Sequence, residues 1–210
     1  MQKFYISLIR LFSCSAIILS FLFFIFMDFS RNFFLADTIK FASIIFCAVL
    51  STIGKNHWKT AGQWITVVCD YFLLFTTKFS FAVFLFILVH CCYILSQINK
   101  KRQTSLILLL AASIFSFLEF PILIKLCIIY VLIFSTNLIT AFCTLLKTPN
   151  IPSCMMFVGL ILFAICDINV VIYNLFDSTI SHFLIWLFYC PSQFIIALSH
   201  QDCDTHNDTT

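Results

Sequence analysis

The sequence predicts an all-α, polytopic transmembrane bundle of about eight spans with both termini in the cytoplasm. Three observations predict it. Of the 210 residues, 62% are hydrophobic and only 10% are charged, and the mean hydropathy is +1.07. A soluble domain of this size has no use for so much apolar surface. The apolar residues fall in continuous runs that match a ~30 Å hydrocarbon core at ~1.5 Å per helical residue. They do not show the ~10-residue alternating segments of a membrane β-barrel. The cationic residues, finally, lie mostly between the runs, as topology-setting charges do. Residues 1–200 read as one transmembrane domain and residues 201–210 as a polar tail.

The first span is about Leu11–Met27. Lys3 and Arg10 ahead of it resemble the start of a signal peptide, but Asp28 and Arg31 follow without a small-residue cleavage pattern, so it reads as retained. The second span, Ile39–Ile53, is short and has Lys40 at its start, and Gly54–Thr60 is a loop. The third span is Ala61–Thr77, Lys78 marks a tight turn, and the fourth span is Phe79–Ile98. Asn99–Arg102 is the most basic point of the chain. The fifth span, Thr104–Phe117, is ended by Glu119-Phe-Pro121, because proline cannot continue a helix. The sixth is Ile122–Leu146, followed by a loop through Pro152. The seventh is Cys154–Phe176, and Asp177–Ser181 turns the chain into the eighth, His182–Ser199. This count puts Lys3, Arg10, Lys55, Lys59, Lys100, Lys101, Arg102 and Lys147 on the side of both termini, against Arg31, Lys40, Lys78 and Lys125 opposite. The positive excess makes that side cytoplasmic. The chain reads as an integral, multi-pass protein of the bacterial inner membrane, or of the endoplasmic reticulum in a eukaryote.

A net charge of +3 spread over loops excludes a nucleic-acid surface. Most of the 11 cysteines lie inside spans, where they act as small apolar residues, and no CxxC zinc spacing occurs. The lipid bilayer is the partner the composition implies; the oligomeric state is not legible in it.

Two aspartates need a reason. Asp167 sits well inside the seventh span and Asp70 near the middle of the third, each directly after a cysteine. A carboxylate at such depth costs about 2.5–3.5 kcal/mol on insertion scales, so it marks a bundle interior or polar cavity. Other spans carry polar faces. His90 and Tyr93 are three apart, Tyr189 and Gln193 four apart. Tyr130 and Asn137 are seven apart with Thr140 a turn on, and Asn174 is seven from Asp167. Each set shares a helix face, and unpaired polar groups in lipid are costly, so the stripes are expected to face each other. Asp70, His90, Asp167, Tyr189 and Gln193 all fall in the middle third of the bilayer at ~1.5 Å per residue. Spans three and four also match spans seven and eight in layout, as an internal duplication does. Single Tyr, Asn or Gln residues equally serve plain interhelical hydrogen bonding worth ~0.6–2 kcal/mol. The aspartates fit that role less well, because neutral groups join helices at lower cost. Cys69 and Cys166 read as packing residues.

Two carboxyl groups in a dry pocket suit acid–base chemistry: one holds a proton for donation while the other orients or deprotonates water. One His with two Asp is not a recognised zinc spacing, so no metal is expected, and no cofactor is called for. A competing class is a proton-linked transporter or carrier using the midplane Asp and His residues. Few glycine or proline breaks interrupt the polar spans, and broken helices are the usual transporter device. A non-catalytic structural protein is the third class.

The same residues carry a family resemblance. Gly159-Leu-Ile-Leu-Phe163-Ala-Ile-Cys-Asp167 resembles the G-x-x-x-F-x-x-S-D motif of the YhhN, or lysoplasmalogenase, family. Cys69-Asp70 is similar to its G-D, Phe86-Ile-Leu-Val-His90-Cys-Cys-Tyr93 to its F-x-x-x-H-x-x-Y, and Tyr189-Cys-Pro-Ser-Gln193 to its Y-x-x-x-Q. Lys40 stands where the family has a K-P pair. Cys69 replaces a glycine, Cys166 a serine and Phe41 a proline. The order, spacing and layout extend the resemblance over nearly the whole chain. It implies hydrolysis of the vinyl-ether bond of a membrane lysoplasmalogen to a fatty aldehyde and a glycerophospho head group. Asp70 and Asp167 would be the acid–base pair, with His90 assisting proton transfer or binding the head group. Tyr93, Tyr189 and Gln193 would orient water and substrate, and Lys40, Tyr130 and Asn137 complete the substrate-binding set.

Overall fold

A computed structural model describes residues 33–97 and 121–199, together with the isolated positions 18 and 22. The first and fifth expected spans, the basic cluster at residues 99–102 and the tail lie outside the described residues. Among the described residues there are six α-helices and no strand: α1 Phe33–Ser51, α2 His57–Phe75, α3 Phe79–Gln97, α4 Ile122–Lys147, α5 Ile151–Phe176 and α6 Thr179–Leu198. Five of them are long and apolar enough to cross a membrane. The remaining one, α2, is less apolar because its buried face carries Lys59, Gln63, Thr66 and Asp70.

Helix ends follow capping chemistry more closely than hydropathy, and four expected starts move, one of them that of α6, which begins at Thr179 and not at His182. The Asn56 side chain accepts a hydrogen bond from the Lys59 N–H, so α2 starts at His57 and takes in residues expected in a loop. Lys59 is thereby buried, its Nζ 3.3 Å from the Ser199 carbonyl and 3.2 Å from its Oγ at the end of α6. Asn150 caps α5 in the same way through the Ser153 N–H at 2.8 Å. Pro152 then lies in the first turn, where its missing N–H costs nothing, and starts a helix instead of occupying a loop. The third shift is at α1, which begins at Phe33 and not at Ile39. Lys40 is therefore two turns inside the helix and 3% exposed, with Nζ 3.2 Å from Asp37 and 4.9 Å from the centroid of the Trp186 ring. Asp177 in the left-handed region (φ 49°) ends α5, and Ser178 caps α6.

The helices close into a ring. Each packs on its neighbour in chain order, α6 returns to α1, and α2 also touches α6 across the ring. Helix association inside a bilayer depends on close van der Waals packing, since lipid tails are as apolar as the side chains they surround. Two glycines provide it. A Cβ on Gly159 of α5 would stand 2.6 Å from Ile196 Cγ1 and 3.2 Å from the Ser192 carbonyl of α6. One on Gly62 of α2 would stand 2.6 Å from the Tyr93 ring of α3. The largest side chains of the core, Tyr93, Phe163, Ile44, Leu160 and Ile196, come from α1, α3, α5 and α6. Outward faces carry Leu146, Leu175, Phe176 and Ile180, as a lipid-facing surface requires. The described cysteines are free thiols, with Cys47, Cys69, Cys166 and Cys190 packed inside as the composition implied.

Candidate active site

Helical spacing places the polar residues on inward faces. On α2, Gln63, Thr66 and Asp70 stand at i, i+3 and i+7; on α3, His90, Tyr93 and Gln97 repeat that spacing. Tyr130 and Asn137 share the inner face of α4, Phe163 and Asp167 that of α5, and Tyr189 and Gln193 that of α6. Asp70, His90, Tyr93, Asn137, Tyr189 and Gln193 are all buried, while Tyr130 and Asp167 are half-buried.

Each carboxyl group is held by a tyrosine from another helix. Tyr189 Oη lies 2.7 Å from both oxygens of Asp70. Tyr130 Oη donates to Asp167 Oδ2 at 2.5 Å. A hydrogen bond to a carboxylate is stronger than a neutral one, and it offsets the cost of keeping the group out of water. No hydrogen bond joins Asp70 to Asp167 among the described residues. They are instead linked through Phe163, whose ring lies 5.5 Å from that of Tyr189 and 5.3 Å from that of His90. Replacing Tyr189 by Phe removes the hydrogen bond from a buried carboxyl group, and we expect a loss of about 1–3 kcal/mol in thermal unfolding in detergent.

His90 contacts neither carboxylate directly. Its Nε2 is 3.4 Å from Tyr130 Oη and its Nδ1 3.0 Å from Asn137 Nδ2. Asn137 Oδ1 in turn accepts from Gln97 Nε2 at 2.9 Å. A second polar group surrounds Tyr93. Gln63 Nε2 donates to Tyr93 Oη at 3.0 Å and to Gln193 Oε1 at 3.2 Å. Gln63 Oε1 and Gln193 Nε2 are then buried without a partner among the described residues. Turning both amides over exchanges the atoms but still leaves one oxygen and one amino group over. Lys40 approaches the rim, since the Trp186 ring beneath it packs edge-on against Tyr189 at 5.4 Å.

Two expected members stay out. Asn174 is exposed and bonds to the Val170 carbonyl of its own helix, so it is not part of the Asp167 face. Thr140 likewise bonds to the Thr136 carbonyl. Short polar side chains satisfy themselves in this way on the preceding turn. Gln63 and Gln97 were not singled out in the sequence, yet each lies seven residues from a residue that was, on the same face. Phe163 appears there only as a motif position.

Membrane-length helices closed into a ring around two inward-facing carboxyl groups make this a polytopic integral membrane protein with an acidic interior. Its sequence matches the pattern of the YhhN family over residues 32–200, and the chain belongs to that family. Comparison with curated proteins and with solved structures finds no match.

Proposed function

We propose that the protein is a membrane hydrolase that cleaves the vinyl-ether bond of a lysoplasmalogen-type lipid, with Asp70, Asp167 and His90 as its acid–base groups. The observation that carries this reading is the pair of tyrosine-held carboxyl groups inside the bundle. Membership of the YhhN family is consistent with a hydrolase.

The chemistry needs two proton movements. A carboxylic acid transfers its proton to the alkenyl carbon one removed from the ether oxygen, leaving an oxocarbenium ion. A water molecule bonds to the positive carbon while the second carboxylate takes its proton. The resulting hemiacetal collapses: its C–O bond to glycerol breaks, the hydroxyl proton leaves, and the glycerol oxygen is protonated. Aldehyde and the glycerophospho head group result, and both carboxyl groups end as they began. The Gln63–Gln193 pair offers one acceptor and one donor, which matches a hydroxyl or a water. Tyr93, Tyr189 and Tyr130 would line the substrate, and Lys40 beside Trp186 would meet the phosphate.

Purified protein in micelles is expected to release fatty aldehyde and the glycerophospho head group from a lysoplasmalogen, in equal amounts. Absence of aldehyde together with proton-coupled solute flux in proteoliposomes would replace hydrolysis by transport.

A further inference from the structure

We infer that Gln97 and Asn137 are positioning residues that set the tautomer of His90, and so make Asp167 the proton acceptor of the carboxyl pair. The inference rests on the hydrolytic reading for its second half only.

The argument starts at a group with one possible role. The Tyr93 carbonyl can only accept, and Gln97 Nε2 lies 3.1 Å from it. That identifies the Gln97 atom there as the amino nitrogen, whose second hydrogen points at Asn137 at 2.9 Å. The Asn137 atom receiving it is therefore the carbonyl oxygen, so the Asn137 amino group is the atom 3.0 Å from His90 Nδ1. An amino group only donates, so Nδ1 accepts and the ring proton of neutral His90 sits on Nε2. Nε2 faces the Tyr130 hydroxyl at 3.4 Å. That hydroxyl, receiving from His90, has its single proton left for Asp167 Oδ2 at 2.5 Å. Every donor in the chain points the same way, from the end of α3 through α4 to α5. The amides transfer no proton; they orient the ring that does.

The consequence for chemistry is a division of labour. Asp167 stands at the receiving end of an ordered donor chain and is the group placed to deprotonate water. Asp70 also accepts from a tyrosine, but Tyr189 receives from no side chain among the described residues, so Asp70 has no ordered donor chain behind it and is left as the acid. Asn137→Asp reverses the chain: a carboxylate accepts from both neighbours, which moves the His90 proton to Nδ1 and turns the Tyr130 hydroxyl toward Nε2.

The test reads the ring directly. A variant with His57, His182, His200 and His206 replaced by Asn leaves His90 as the one imidazole, and its nitrogen-15 NMR shifts in micelles report the tautomer without any substrate. The expected result is the Nε2–H form, switched to Nδ1–H by Asn137→Asp. An Nδ1–H ring in the parent chain overturns the inference, whether or not the Asp variant folds. A tautomer unmoved by Asn137→Asp also overturns it. In the assay, Asn137→Asp and Gln97→Glu are expected to lower kcat by about 10–100-fold with KM held, the scale of loss for a partner that orients a working histidine. A fall in stability with kcat unchanged would mark both as merely structural and overturn their positioning role. An Nε2–H ring with no aldehyde release at all would leave the tautomer assignment standing and remove the hydrolytic reading instead.

Discussion

Asn in place of Asp70 or Asp167 is expected to slow aldehyde release from a lysoplasmalogen by about 10²–10⁴-fold at either site, the range spanned by a positioned acid or base. Asn is close to Asp in shape, and its carbonyl oxygen still accepts from Tyr189 at the first site and from Tyr130 at the second. The helices therefore keep their contacts, and thermal unfolding in detergent is expected to change little. What Asn lacks is a proton that it can give up and take back. Because both groups serve one sequence of proton movements, the double variant is expected to be about as slow as the slower single one, not the product of the two. Wild-type rates in both single variants would remove the acid–base assignment. A large loss of stability together with the loss of rate would instead make the aspartates structural.

Gly159→Val is expected to cost about 1–3 kcal/mol, the usual penalty for forcing extra atoms into a packed interface. The first added carbon already meets Ile196 Cγ1 at 2.6 Å, and the Ser192 backbone behind it at 3.2 Å cannot swing aside. α5 and α6 must separate. That movement carries Tyr189, on α6, away from Asp70 on α2, so activity is expected to fall further than stability alone explains. Val158→Leu, on the lipid side of the same helix, is the matched control and is expected to change neither. Thermal unfolding and aldehyde release, measured on the same preparations, check both expectations. A Gly159→Val protein with the parent's unfolding temperature would show that this contact does not limit the approach of the two helices.

The run Gly159–Asp167 shows how much of the site the sequence carried. Its glycine, Phe163 and Asp167 recur every four residues on one face of α5, so the motif places a close contact, a linking ring and a carboxyl group in one line. The inward placement of Asp70, His90, Tyr93, Tyr189 and Gln193 was legible for the same reason: polar groups in lipid have only the bundle interior to face. Asn174 broke the expectation because an amide can satisfy itself on the preceding turn of its own helix. Lys40 stands at the expected start of a span, since charge ends an apolar window; Asp37 and Trp186 let the helix begin a turn and a half earlier.

Apolar run length and the cost of polar groups in hydrocarbon determined, from residue order alone, that this is a helical membrane bundle with an acidic interior. Those terms are local: they depend on a residue's neighbours along one helix. Which tyrosine holds which carboxylate, and that Phe163 rather than a hydrogen bond links the two, depended on how six helices close into a ring. Pairings between helices are set by the fit of opposing surfaces, with Gly159 and Gly62 allowing the closest approach, and no periodicity within a single helix encodes them.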